Sequence, residues 1–342
     1  MLNEPKVIGI ADLHLSSHKP YYKKAFRKFM DWFKAQDFGP RELNVIVLAG
    51  DLHNSVNICT TEAAMFDEFT DECFKKAKEV WCNLGNHDFG LVGYNKDDVC
   101  EYLNKHNIKW VAAPQVLELG NGMSCLFLPH NAKYAMDINL LNETIKELNT
   151  NSRANCCVTH YELHPHFTDN YVNTDYAQEF VIGGHIHNRG EGLEYCGSIL
   201  PCSKDDDKFR APSVIKVIYK DRAEQIKIPP FVKFDFINCD NFGSIDALQT
   251  YIQNAASGSD VVYQAVVQYT KKSSALLKAL KGVDRSWIYQ VEKLSEEKKE
   301  VNIDIKKLDA IFSKPKILEA YFLANPNRKL LMYCYNKIKE KA

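Results

Sequence analysis

The chain has 342 residues, of which 45% are hydrophobic and 25% charged, the balance of a folded globular protein of about two domains rather than of a disordered or fibrous one. Lys and Arg (43) nearly cancel Asp and Glu (44), leaving a formal charge of -1, which excludes a global positive field that would draw the molecule onto nucleic acid or an anionic membrane. No apolar run reaches the roughly 18 residues that cross a bilayer, Met1 to Pro5 carries no signal core, and the Cys are scattered without a CxxC pair, so a cytoplasmic protein with reduced thiols is expected.

Lys6 to Ile10 reads as a strand, and Tyr22 to Lys34 as a helix with Phe26, Phe29, Met30 and Phe33 on one face. A strand at Asn44 to Leu48, a helix at Thr61 to Lys78, a strand at Glu79 to Asn83 and a helix at Asp97 to His106 follow. Later strands are expected at Lys109 to Val111, Met123 to Leu128, Ala154 to Thr159, Glu179 to Ile182, Leu193 to Cys196 and Ser213 to Tyr219. This alternation is that of sheets covered by helices.

Ile228-Pro229-Pro230 marks a boundary, because paired prolines cannot continue a central strand. Beyond it a small α+β unit is expected: strand Phe231 to Asn238, helix Ser244 to Ala256, strand Val261 to Thr270, helix Ser273 to Lys281 and strand Trp287 to Leu294. Glu296 to Glu300 reads as a solvated connector, and Ile305 to Ala342 as helical with a break at Asn325-Pro326-Asn327. The apolar stripes of this tail, such as Ile317, Leu318, Tyr321 and Phe322, either dock on a partner or pack back on their own chain. The expected domains are therefore 1–228, 229–295 and 296–342.

Asp12, Asp51, Asn86, His160 and His185 each come immediately after an apolar strand run, and strand ends are where loops carry chemistry on a rigid base. Taken alone, a His after a strand is more often a hydrogen-bonded loop residue than a ligand. Together they form an ordered set: Asp12-Leu13-His14, Gly50-Asp51, Gly85-Asn86-His87-Asp88, Thr159-His160 and Gly184-His185-Ile186-His187. Carboxylate, imidazole and amide donors without thiolates suit a divalent metal of the manganese, iron or zinc type. The spacing of Asp12 to His14 and of His185 to His187 lets both residues of each pair point into one cavity where a strand ends.

In these five motifs the sequence resembles the calcineurin-like metallophosphoesterases, whose signature DxH, GDxx, GNH(D/E), H and GHxH is matched in order from Asp12 to His187. The resemblance implies an α/β fold, a four-layer αββα sandwich, and a two-metal site. Asp12, His14 and His187 would hold one metal and Asn86, His160 and His185 the other, with Asp51 bridging and His87 assisting the transition state or the leaving oxygen. Two cations about 3.5–4 Å apart activate water, orient a phosphate and neutralise charge during in-line displacement. They answer the demand, left open by a nearly neutral chain, for local grip on an anion.

Gly50-Asp51-Leu52-His53-Asn54 lacks the Arg with which protein phosphatases of the superfamily extend the second motif. Four stretches are similar to the SbcD family of nuclease subunits: Asp12-Leu13-His14-Leu15, Gly50-Asp51-Leu52-His53, Leu126-Phe127-Leu128-Pro129-His130, and above all Ile182 to His187 followed by Tyr195-Cys196-Gly197-Ser198. That likeness implies a manganese-dependent DNA nuclease, exonuclease and endonuclease, of a bacterium or phage. It further implies a capping domain after residue 228, a tail that binds an SbcC-like coiled-coil ATPase, and a homodimer. Thr61 to Lys78, with Ala64, Met65, Phe69 and Phe74, is the candidate dimer helix. His53 is a second catalytic candidate, although the family commonly has its His three positions after the bridging Asp, where this chain has Asn54. His18, His106, His130, His164 and His166 read as ordinary loop or surface residues, while Lys271, Lys272, Lys278, Lys281 and Arg285 form a basic patch that could meet backbone phosphates. A stand-alone phosphodiesterase for small esters and a non-catalytic scaffold are the competing readings.

Overall fold

The computed structural model describes residues 4–19, 21–54, 58–88, 96–151, 154–163, 172, 180–187, 194–204 and 212–294. Met1–Lys293 forms one compact unit and Leu294–Ala342 a second; the expected helical tail lies outside the described residues.

Two sheets build the catalytic layers. The first runs β10 (Ala223–Lys227), β9 (Val214–Ile218), β1 (Lys6–Ile10), β2 (Asn44–Leu48), β3 (Glu79–Asn83), β4 (Lys109–Val111). Within it β1 to β4 are parallel, β9 runs antiparallel to β1, and β10 runs antiparallel to β9. The second runs β5 (Gln115–Glu118), β6 (Ser124–Leu128), β7 (Cys156–Thr159), β8 (Val181–Gly183), with β6 to β8 parallel.

Side chains alternate across a strand, and both faces here are covered, so β1 and β2 read as unbroken apolar runs. Val7, Val45 and Val47 point inward to meet Phe127, Cys156, Val158 and Ile182 of the second sheet. Their neighbours Ile8, Ile10, Ile46 and Leu48 point outward onto Phe26, Phe29 and Phe33 of α1 (Tyr22–Lys34) and Phe66 and Phe69 of α2 (Thr60–Lys76). On the far side Leu126, Leu128 and Cys157 pack against Leu141 and Ile145 of α5 (Ile138–Asn151). Helix, sheet, sheet, helix is the phosphoesterase sandwich expected from the motifs. Two shorter helices, α3 (Lys96–Lys105) and α4 (Ala132–Met136), complete the described α-helices of these layers. A buried ammonium ties the sheets at one edge: Lys216 of β9 donates to the carbonyls of Val181 and Glu194, each at 2.5 Å.

A third, all-parallel sheet follows, β11 (Val232–Asn238), β12 (Val262–Tyr269), β13 (Ile288–Lys293), with α6 (Ile245–Ser257) crossing between its first two strands. Ser244 caps α6 by accepting from the Ala247 amide. One face of this sheet covers Leu248 and Ile252; the other brings Val232, Phe234 and Val266 into the same core as α1.

Several expectations are adjusted. The helix expected at Ser273 to Lys281 is present as a 3-10 helix, Ser274–Gly282. The strand expected at Leu193 to Cys196 reduces, in its described part, to a single bridge between Tyr195 and Gly183. Met65 and Phe69, offered as a dimer face, are buried in this chain's own core. The ten described cysteines are free thiols, eight of them buried.

Candidate metal centre

The motif loops all leave the C-terminal ends of parallel strands: Asp12 and His14 after β1, Asp51 after β2, Asn86 to Asp88 after β3, His160 after β7, His185 and His187 after β8. Their backbone is sharply bent. Among the described residues, positive φ at a non-glycine occurs at Asp12 (50°), His14 (44°), Asp51 (52°), Asn107 (55°) and His185 (76°), so four of five are predicted ligands. Left-handed backbone costs an L-residue about 1–2 kcal/mol and persists where the surroundings over-determine it. The same crowding demands glycine: at Gly50, with φ of 88°, a Cβ would run into the His160 ring, and at Gly85 into the Asp51 carboxylate.

The structure brings all seven predicted metal ligands together. Asp12, His14, Asp51 and His187 each bring a ligand atom within 4.8 Å of the others. His160 Nε2 lies 3.2 Å from Asp51 Oδ2 and 3.0 Å from Asn86 Oδ1, and His185 Nδ1 is 3.0 Å from that same Asn86 oxygen. Two groups thus share Asp51, whose Oδ2 is also 3.4 Å from His14 Nε2. The His185 amide donates to Asp12 Oδ1 (2.9 Å), joining the loops of the two sheets.

The donors fit a cation. Asp12 Oδ2 and both ring nitrogens of His14 are buried without a hydrogen-bond partner, and an unsatisfied buried polar group costs about 1–3 kcal/mol. Burial lifts the Asp12 carboxyl to about 6. Burial also opposes the charge of Asp51, yet the neighbouring His160 holds it below the ordinary carboxylate range. For His160 burial disfavours the cation, but Asp51 and Asp12 carry its pKa up to about 9. A pocket that draws positive charge onto a fully buried imidazole is electrostatically suited to a metal. Burial keeps His14 well below its usual value and takes His185 down to about 3, preserving the neutral ring that ligates metals.

His87 stands at the rim of this group: its amide donates to Asp51 Oδ1 (2.8 Å), Nδ1 is 3.1 Å from the Asn54 carbonyl, and its ring lies 4.9 Å from that of His14. His53 is placed differently. Its described ring contacts are Phe66 of α2 (5.1 Å) and Tyr102 of α3 (5.6 Å), and burial lowers its pKa to about 4. It touches the helical layer rather than the ligands, which argues for a packing role.

Asp88 had no role assigned from sequence, although it closes the third motif. Its buried carboxylate accepts the amides of Asp51 (2.8 Å), Leu52 (3.0 Å) and Gly85 (2.8 Å), pinning the β2 loop to the β3 loop. His130, read as an ordinary loop residue, follows β6; its amide donates to the Leu84 carbonyl (2.8 Å) and its ring stacks on Tyr161 at 5.6 Å. Its position at a strand end was the available signal. His164 and His166 lie outside the described residues.

The model of the calcineurin-like phosphoesterase family matches residues 5–189, more than half of the chain and every ligand named above. The chain belongs to the calcineurin-like phosphoesterase family. It is accordingly a metal-dependent hydrolase of phosphoesters.

No curated protein matches the chain. Among solved structures it is similar to a protein of unknown function from Aquifex aeolicus, at 14% identity and TM-score 0.30, over 50% of this chain and 85% of that one. It is also similar to a cold-active protein tyrosine phosphatase (13%, TM-score 0.31, 65% of this chain and 79% of that one) and to such a phosphatase from a psychrophilic Shewanella species (11%, TM-score 0.29, 66% and 81%). Likenesses at these scores carry no inference about substrate.

Proposed function

We propose that this hydrolase is an SbcD-type DNA nuclease that binds two divalent cations, manganese by preference. It cleaves phosphodiester bonds at duplex ends and in single-stranded regions during recombination and double-strand-break processing. It works in the cytoplasm of a bacterial or phage-infected cell with an SbcC-like ATPase bound through residues 296–342, and as a homodimer that uses surfaces other than Met65 and Phe69.

The observation that carries this reading is the turn after the last motif. Gly197 has φ of 73°, Ser198 donates its amide to the His187 carbonyl (3.1 Å), and the Ser198 hydroxyl donates to Leu200 (2.8 Å). The element that likens the sequence to SbcD nucleases thus braces a ligand. The side chains of Lys271, Lys272, Lys278, Lys281 and Arg285 are exposed outside the metal centre, and such cations contact phosphates without reading sequence.

When bound, the cations supply activation of water and neutralisation of charge on the phosphate. Asp12, His14, Asp51 and His187 would hold one, and Asp51, Asn86, His160 and His185 the other. The chain's own part is to fix these donors through Asp88 and the strained loops. His87, beside both Asp51 and His14, is positioned to hydrogen-bond a phosphate oxygen or to return a proton to the leaving oxygen.

Digestion of an end-labelled linear duplex in manganese, with and without a co-expressed SbcC-like ATPase and ATP, tests the proposal with Asp51→Ala as the blank. Manganese-dependent cleavage that vanishes in the blank and rises with the ATPase is expected. Intact DNA beside hydrolysis of a small diester would instead favour a stand-alone phosphodiesterase, a reading to which the compact unit Met1–Lys293, holding every ligand, lends some support.

A further inference from the structure

Four residues beyond the turn that braces His187 lies Cys202, which no motif accounts for. Ligand atoms of His14, His187 and Cys202 all lie within 4.8 Å of one another. Of the ten described cysteines only Cys59 and Cys202 are not buried, and Cys202 is the one beside two imidazole ligands. The segment carrying it is held from several sides: Tyr21 donates its hydroxyl to the Pro201 carbonyl (2.9 Å), Lys19 donates to the Cys202 carbonyl, and Ser198 holds Leu200. The thiol makes a long contact to the Leu200 carbonyl at 3.9 Å. On the facing side His14 is 1% exposed with both ring nitrogens unpartnered. His14 is shared with the Asp12, Asp51 and His187 group, so the thiol stands beside an imidazole that already calls for a ligand.

We propose that Cys202 is an additional metal ligand on the His14 and His187 side of the centre, which adds a sulfur donor to these two imidazoles. On binding, the sulfur–metal bond forms and the thiol proton leaves to solvent, so no oxidant or reductant is involved. A thiolate adds little for manganese and much for zinc, cobalt or cadmium, because softness and donor type set selectivity. Cys202 therefore biases one of the two positions toward thiophilic cations. The inference rests on the metal centre of the family and not on DNA as the substrate.

Cobalt(II) titration of the metal-free, full-length protein is the direct test. The wild type is expected to show visible ligand-field bands from the nitrogen and oxygen donors together with an intense near-ultraviolet thiolate-to-cobalt charge-transfer band. Cys202→Ser is expected to keep the first and lose the second, and to bind zinc about tenfold more weakly while manganese affinity changes by less than about threefold. Ligand-field bands without charge transfer in the wild type, or charge transfer that persists in Cys202→Ser, would overturn the inference while leaving the metal centre intact. Absence of both bands would remove the metal centre and Cys202 with it. Should the variant fold poorly, alkylation of the wild type mapped by mass spectrometry decides: zinc protects Cys202 if it is a ligand, and an unchanged rate at Cys202 rules that out.

Discussion

Asp51 is the residue on which the centre turns, since its carboxylate faces His14 and His160 while also accepting the His87 amide. Asp51→Asn keeps the size and one oxygen but loses the charge. It should cut turnover of a diester by at least about a hundredfold and lower bound metal by elemental analysis; near-wild-type turnover would refute the bridging role. Asp88 acts one layer out. Asp88→Ala strips acceptors from three backbone amides, so it should cost at least about 3 kcal/mol in urea unfolding and weaken metal binding about 10- to 100-fold, whereas Asp88→Asn should be milder. His53 gives a pH test. Its folded pKa of about 4 lies below the ordinary 6.5, so the unfolded chain takes up the proton first. The stability it confers is complete above about 6.5 and is lost as pH falls through 4, on the order of 3 kcal/mol in all. His53→Gln should flatten the fall of melting temperature over that window while diester turnover stays within about threefold; an unchanged slope would exclude this role. All seven candidate ligands, which the structure brings together, could be read in the sequence because each lies in a loop that follows an apolar strand. Asp88 was less legible because carboxylates that accept backbone amides look, in sequence, like any other Asp. The neutral packing of His53 depends on Phe66 and Tyr102, two residues that only folding brings to it.

Strands buried on both faces, β1 and β2, were the elements easiest to foresee, and β3 and β4 also fall where the sequence places them. Two edge strands, β10 and β5, were not foreseen. β10 reads Ala-Glu-Gln-Ile-Lys and is mostly exposed, and β5 is only half-buried, so neither carries an apolar signal. The helix α5 went unlisted because its polar face, with Asn142, Glu143, Lys146 and Glu147, dilutes its apolar stripe. The tight 3-10 path of Ser274–Gly282 follows from packing of Ala279 and Leu280 under the third sheet, which propensity does not record. In α1 the phenylalanine face does more than cover β1. Phe29 meets Phe33 (5.6 Å), Phe69 (6.2 Å) and, across the chain, Phe231 (6.1 Å). Phe29→Ala should cost about 3–5 kcal/mol and, because it loosens the third sheet as well as the first, lower protection of β11 amides together with that of β1. Loss confined to β1 would show the two sheets to be independent.

The chain from Met1 to Lys293 is a compact unit containing every ligand, so removal of residues 295–342 should leave a folded protein that hydrolyses a small diester at a rate within about threefold of the full chain while losing any stimulation by an ATPase partner. Equal stimulation of both forms would place the partner's binding site elsewhere. No helix among the described residues is long and apolar enough to cross a membrane. The ligands are divided between two sheets, Asp12, His14, Asp51 and Asn86 on loops of the first and His160, His185 and His187 on loops of the second. A cation held by both therefore ties the layers together, and its removal leaves buried Asp12 and His14 atoms unsatisfied at the seam. Local opening there controls how often the loops present themselves to a protease. Scarcity of metal would thus shorten the life of the molecule as well as idle it, so that a cell low in the ion clears the chains it cannot load.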